Sequence, residues 1–268
     1  MNIPFYKPES ALLSKYIDGF YFIAEKDILK SNQYWTFPNN FCLATVCLDT
    51  DLVPEKRKIT IRKSPAKRVD SFLFYNVSNP VEVTYETPRN EVTIYFKPLA
   101  IFHFFPDVRF DAEINHIENF EPFNDYLSSI QMILKMEDKN AQASTLEAYL
   151  ISKFQYKKQE IIEDILQKIE DDWKINDIAV SLNISRQYIN RIFFKHTGKS
   201  PAQYKKIRRF RQTILSQHSN EKFISLSHKN LFFDQPHFNR EFKDITGVIP
   251  TVFFKNVDTT KNMLWFFV

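Results

Sequence analysis

The sequence predicts an α+β chain. A β-barrel or sandwich with appended helices comes first, and an all-α region of two similar units joined by a linker helix follows. Three observations predict it. The first half carries short runs rich in Val, Ile, Phe, Tyr and Thr, bounded by Pro, Asn and Asp. From Glu160 onward the apolar spacing turns helical. The C-terminal part then repeats itself, ending twice in Thr-Gly, at Thr197-Gly198 and Thr246-Gly247, in a chain with only 3 glycines.

In chain order, strands are expected over 20–25, 41–49, 58–62, 69–77, 81–86 and 91–97, spaced as in an antiparallel barrel or sandwich. Pro98 stops the last of them and suits the first turn of a helix with Leu99, Ile101, Phe102 and Phe105 on its apolar face. Two more helices are expected near 122–136 and 140–154. The polar segment 153–160 marks a boundary, giving domains at 1–156 and 157–268. Ile161, Ile162, Ile165, Leu166 and Ile169 then form the stripe of one helix, and Ile175, Ile178, Ala179 and Leu182 that of the next. Asn183 permits a sharp turn, and Ser185 can cap a third helix reaching about His196.

The repeat is dense. Ile189, Asn190, Arg191, Phe193, Thr197, Gly198, Pro201, Tyr204 and Lys206 recur as Phe238, Asn239, Arg240, Phe242, Thr246, Gly247, Pro250, Phe253 and Lys255. In each copy a glycine is expected as a left-handed helix cap. On the third helix, Ile189, Ile192, Phe193 and His196 share the packing side, whereas Gln187, Asn190, Arg191 and Phe194 lie opposite. In the second copy Asp234 is expected to cap, Phe238 and Phe242 to pack, and Gln235, Asn239 and Arg240 to project.

Charge separates the halves. Residues 157–256 hold 18 Lys and Arg against 11 Asp and Glu, whereas 1–156 hold 17 against 20. No acid occurs between Asp177 and Glu221, where Arg186, Arg191, Lys195, Lys199, Lys205, Lys206, Arg208, Arg209 and Arg211 lie. A one-sign stretch of this length points to a polyanion partner, of which DNA is the obvious case.

Helix, turn, helix with a polar outer face, doubled and joined by a basic helix over 201–217, resembles the DNA-binding domain of AraC/XylS-type transcriptional regulators. The phrases that carry the resemblance are Ile-Ala-x-x-Leu-x-x-Ser at 178–185, Phe-x-Asp-Gln-x-His-Phe-x-Arg-x-Phe-Lys at 232–243 and the two Thr-Gly-x-x-Pro endings. The resemblance implies a helix of each unit in a major groove of double-stranded promoter DNA. Gln187, Asn190, Arg191, Gln235, Asn239 and Arg240 would then contact bases, and Arg186, Lys195, Lys199 and Lys243 phosphates. A linker helix of 17 residues is about 25 Å long, comparable with the roughly 34 Å recurrence of the groove. The second unit departs from the family pattern at Leu231, Asn230 and Ser227. The first half resembles the β-rich sensor module of some such regulators, which implies a small-molecule effector or a homodimer partner there, and transcription machinery as a further partner.

Composition narrows the alternatives. With 3 glycines, no phosphate loop, dinucleotide fingerprint or nucleophile elbow can be written. No cofactor, metal site or enzymatic activity is expected, His103 and His116 being far apart in sequence. An alkyl-transfer repair protein would need Cys42 or Cys47 as a reactive thiol, but both sit in an apolar run, on opposite faces of a strand. An interaction protein with a partly degenerate DNA domain is the other alternative, suggested by the second unit and the apolar tail 263–268. The start of the chain carries no signal-peptide pattern and no apolar run of membrane-spanning length, so a cytoplasmic, nucleoid-associated protein is expected.

Overall fold

The computed structural model describes residues 3–24, 32–55, 57–66, 68–87, 90–217 and 235–256. The first half is a sandwich of two sheets. Six strands, β1 (Phe5–Tyr6), β2 (Ile17–Ile23), β9 (Asn90–Phe96), β4 (Cys42–Leu48), β7 (Val69–Phe74) and β10 (His116–Glu118), lie side by side in that order. The facing sheet orders β3 (Asn32–Thr36), β8 (Val81–Tyr85), β6 (Lys58–Lys63) and β5 (Thr50–Pro54). All pairings are antiparallel except β6 with β8, which runs parallel, a departure from the purely antiparallel expectation. The strands missing from the sequence reading, β1, β3, β5 and β10, are short or carry polar residues, and pairing rather than pattern holds them.

The large sheet is buried on both faces, so its strands read as near-continuous apolar runs. Along β9, Val92, Ile94 and Phe96 join one core, whereas Tyr95 joins the core between the sheets. Glu91 and Thr93 share Tyr95's face, and their polarity is met inside: Tyr21 and Thr93 donate to Glu91 Oε1 at 2.7 and 3.1 Å. The outer core is closed by α1 (Leu13–Tyr16), α2 (Ile101–Phe104), α3 (Tyr126–Leu134) and α4 (Lys139–Lys153). Asp138 caps α4 by accepting from the Asn140 and Ala141 amides, each at 2.8 Å.

The expected helix at Pro98 begins only at Ile101, because Leu99 takes a left-handed φ of 66° and turns the chain. Leu99 packs instead among Ile162, Ile165, Ile178 and Phe193, in the core of the helical half. That half comprises α5 (Glu160–Glu170), α6 (Ile175–Leu182), α7 (Arg186–Thr197), α8 (Pro201–Gln217), α9 (Gln235–Thr246) and α10 (Pro250–Asn256). Ile161 of the expected α5 stripe is 42% exposed; Ile162, Ile165 and Ile169 carry the burial. Asp234, Asn230, Leu231, Ser227 and the tail 263–268 lie outside the described residues. No helix among the described residues is long and apolar enough to cross a membrane.

Candidate nucleic-acid interface

The helix α7, on which base contacts are expected, is set by a turn, a cap and two anchors. α6 ends at Asn183, which takes φ 52° and ψ 45°, and the Ile184 amide returns to the Ala179 carbonyl at 3.0 Å. Ser185 then accepts from the Tyr188 amide at 3.1 Å and starts α7. Ile189 and Phe193, both fully buried, pin the helix to α5 and α6. With that side committed, Arg186, Gln187, Asn190, Arg191 and Lys195 are exposed. Arg191 lies over the Tyr188 ring at 5.4 Å, a cation–π contact that limits its rotamers in a free interface.

Both units end alike. Thr197 Oγ1 donates to the Phe193 carbonyl at 2.8 Å and accepts from the Lys199 amide at 3.2 Å. Thr246 Oγ1 does the same with the Phe242 carbonyl at 2.9 Å and the Val248 amide at 3.3 Å. Gly198 and Gly247 follow with φ of 68° and 81°. On α9, Phe238 and Phe242 are buried, Gln235, Arg240 and Lys243 are exposed, and Asn239 is half-buried.

One expected phosphate ligand is misplaced. Lys199 is 1% exposed and its Nζ donates to the Tyr75 carbonyl of the β domain, so it does not face solvent. Burial pulls its pKa down to about 8, with the nearby Cys42 thiol acting in the opposite sense. The error has a physical source: a lysine after a helix cap looks solvent-facing until the partner strand, far away in sequence, is in place.

The same holds for most of the acid-free stretch. Arg208 meets Asp172 at 3.4 Å, Arg209 meets Glu241 and Lys206 meets Asp244, all partners outside the stretch. Arg211 donates to the carbonyls of Pro38 and Phe37 at 2.8 and 2.6 Å. Lys205 donates to the Trp173 carbonyl at 2.6 Å. Among the described basic residues of the acid-free stretch only Arg186, Arg191 and Lys195 are exposed, all on α7, and Arg240 and Lys243 are exposed on α9.

The β domain grips the helical half through contacts that carry no local signal in the sequence. Asn40 Nδ2 donates to the Tyr204 carbonyl at 3.1 Å, and Gln203 Nε2 to Asn76 Oδ1 at 2.8 Å. Phe37 packs edge-on against Phe253 at 5.0 Å, within the core of the second unit. All these contacts spare the exposed faces of α7 and α9. The cysteines offer no nucleophile there: both are buried, and burial pushes the Cys42 thiol up to about 11. Among the described residues no three His, Cys, Asp or Glu side chains are grouped to hold a metal.

Residues 178–256 match a family described as a helix-turn-helix domain. Over 102 residues the chain is 28% identical to YidL of Escherichia coli, an uncharacterized HTH-type transcriptional regulator, covering 37% of this chain and 34% of that one. Over 103 residues it is 27% identical to GbdR of Pseudomonas aeruginosa, an HTH-type transcriptional regulator, covering 38% and 28%. The chain thus spans about a third of the length of these curated relatives. A solved structure of ToxT from Vibrio cholerae superposes over 95% of this chain and 98% of its own, at 12% identity and a TM-score of 0.43.

Proposed function

We propose that this chain, whose C-terminal region is an AraC-type helix-turn-helix domain, is a transcriptional regulator that reads promoter DNA through two major grooves. The observation that carries the reading is the Asn-Arg pair repeated at matching places on two helices, Asn190-Arg191 on α7 and Asn239-Arg240 on α9, both arginines exposed and Gln187 and Gln235 exposed in the first turns. Arg can donate two bonds to guanine, and Asn or Gln can pair with adenine, each worth about 1–3 kcal/mol of discrimination. Arg186, Lys195 and Lys243 set register on phosphates.

The β domain modulates this binding through a small-molecule effector or a second copy of the chain. Support comes from a cavity between the sheets, lined by Tyr21, Tyr34, Tyr95, Glu91, Thr36 and Asn39. Thr36, which ends β3, and Asn39 flank Phe37 and Pro38, whose carbonyls hold Arg211 on α8. A ligand acts there only by favouring one of two loop positions over the other.

Selection from random genomic fragments with the purified chain, alongside Arg191→Ala and Arg240→Ala, tests the reading. One bipartite motif is expected, with each substitution relaxing a different half by about 1–3 kcal/mol. Retention of DNA with no motif, and with a steep loss on raising salt, would leave only nonspecific binding.

A further inference from the structure

The linker helix α8 is tied to both reading units by charge, on different faces. At about 100° per residue, Tyr204, Lys205 and Arg208 turn toward the first unit, and Lys206, Arg209, Phe210 and Ile214 toward the second. On the first side Tyr204 Oη donates to Glu170 Oε1 at 2.6 Å, beside the Arg208 pair with Asp172. On the second, Arg209 donates from Nε and Nη2 to the two oxygens of Glu241 at 2.8 and 2.7 Å, and Lys206 meets Asp244 at 3.1 Å.

The Arg209–Glu241 pair differs from an ordinary surface ion pair. Its side chains are only 18% and 12% exposed, and the two parallel bonds allow a single mutual orientation. Glu241 follows Arg240 on α9, so the paired carboxylate is one residue along the helix from the side chain proposed to read a base. The apolar contacts of the same face, such as Phe210 against Phe242 at 5.3 Å, seat the helix by packing, and the paired bonds add the directional contact. Rotating or sliding α9 along α8 would separate both oxygens from the guanidinium and strand two desolvated charges.

We infer that Arg209 and Glu241, seconded by Lys206 and Asp244, set the spacing between the two half-sites the chain accepts. They are positioning residues: they fix the rotation and offset of α9 relative to α7 and do not touch DNA. The inference rests on the two-groove reading proposed above. Without the pair, the second unit keeps its fold and its apolar seat on α8, but presents its helix over a range of offsets.

The test uses the full chain and a library in which the two half-sites selected by the wild type are separated by varying numbers of base pairs. Wild type, Glu241→Gln, Arg209→Glu and the charge swap Arg209→Glu with Glu241→Arg are compared. Wild type is expected to concentrate on one spacing. Both single variants are expected to lose about tenfold in preference for that spacing over its neighbours, while binding of the first half-site alone stays within about twofold. The swap, which keeps the wild-type net charge, is expected to restore the preference. Because Glu241→Gln is nearly isosteric, it carries the test if Arg209→Glu fails to fold, with circular dichroism as the check. A wild type that selects a bipartite site, beside folded variants that keep its sharp spacing, overturns this inference alone. A wild type with no bipartite site overturns it together with the two-groove reading.

Discussion

Gly198 and Gly247 occupy the same place in the repeat, yet they differ in what a side chain would meet. Each has a left-handed φ, 68° and 81°, a conformation that costs an L-residue roughly 1–2 kcal/mol. A Cβ on Gly247 would meet nothing, whereas one on Gly198 would lie 2.6 Å from the Tyr75 ring. Gly247→Ala is therefore expected to lose about 1–2 kcal/mol by denaturant titration. Gly198→Ala is expected to lose clearly more, because Tyr75 must move and its carbonyl holds Lys199. Equal losses would show that the contact between strand loop and helix cap is soft. The cap role of both glycines was legible from the repeat; the second reason for Gly198 was not, because Tyr75 is remote in sequence.

At the scale of single elements, α6, α7 and α8 follow their local signals closely. Asn183 makes the left-handed turn, Ser185 makes the cap, and α8 runs over Pro201–Gln217, the span the basic helix was expected to take. Removing the cap oxygen by Ser185→Ala leaves the Tyr188 amide without its acceptor. An expected loss of about 0.5–2 kcal/mol in unfolding free energy, with faster amide exchange in the first turn of α7, checks this. What local signals did not show was where the charge of α8 is spent. Its charge is one-signed in sequence because its acidic partners, Asp172, Glu241 and Asp244, sit on the two flanking units.

Across the whole molecule, one of the places where the two halves meet is His103. The ring is 3% exposed, stacks on Tyr156 and lies against Tyr16, Phe154 and Gln159. Its Nδ1 accepts from the Lys157 amide at 3.1 Å, just before α5 begins. Burial is the main cause that lowers its pKa from 6.5, and the Lys157 charge adds to it. A base with a lower pKa folded than unfolded releases protons on folding, so the unfolded chain binds more of them in the window below 6.5. Stability is expected to be complete above that window and to fall as the pH drops through it. His196, lowered mainly by burial and held to the Ile192 carbonyl, pulls in the same direction. Unfolding curves from pH 7.5 to about 5 should therefore show a slope that His103→Phe reduces, since Phe keeps the ring stack and cannot titrate. An unchanged slope would assign the acid sensitivity elsewhere.

Local sequence suffices for the elements whose causes are local. These include the doubled helical unit, the turn at Asn183, the Ser185 cap, the glycine ends and the polar faces of α7 and α9, because periodicity, caps and φ preferences act over a few residues. It also told the two cysteines apart by strand face: Cys42 joins the outer core, and Cys47 donates to Glu91 on the inner side at 3.4 Å. Which charges are spent inside the molecule and which face out depends on the fold. It sent Lys199 to Tyr75 and Arg211 to the Phe37–Pro38 loop, placed Leu99 in the core of the first unit, and ran β6 parallel to β8. Those outcomes depend on partners remote along the chain, and an isolated lysine or arginine looks the same in sequence whether its partner will be a phosphate or a carbonyl of its own fold.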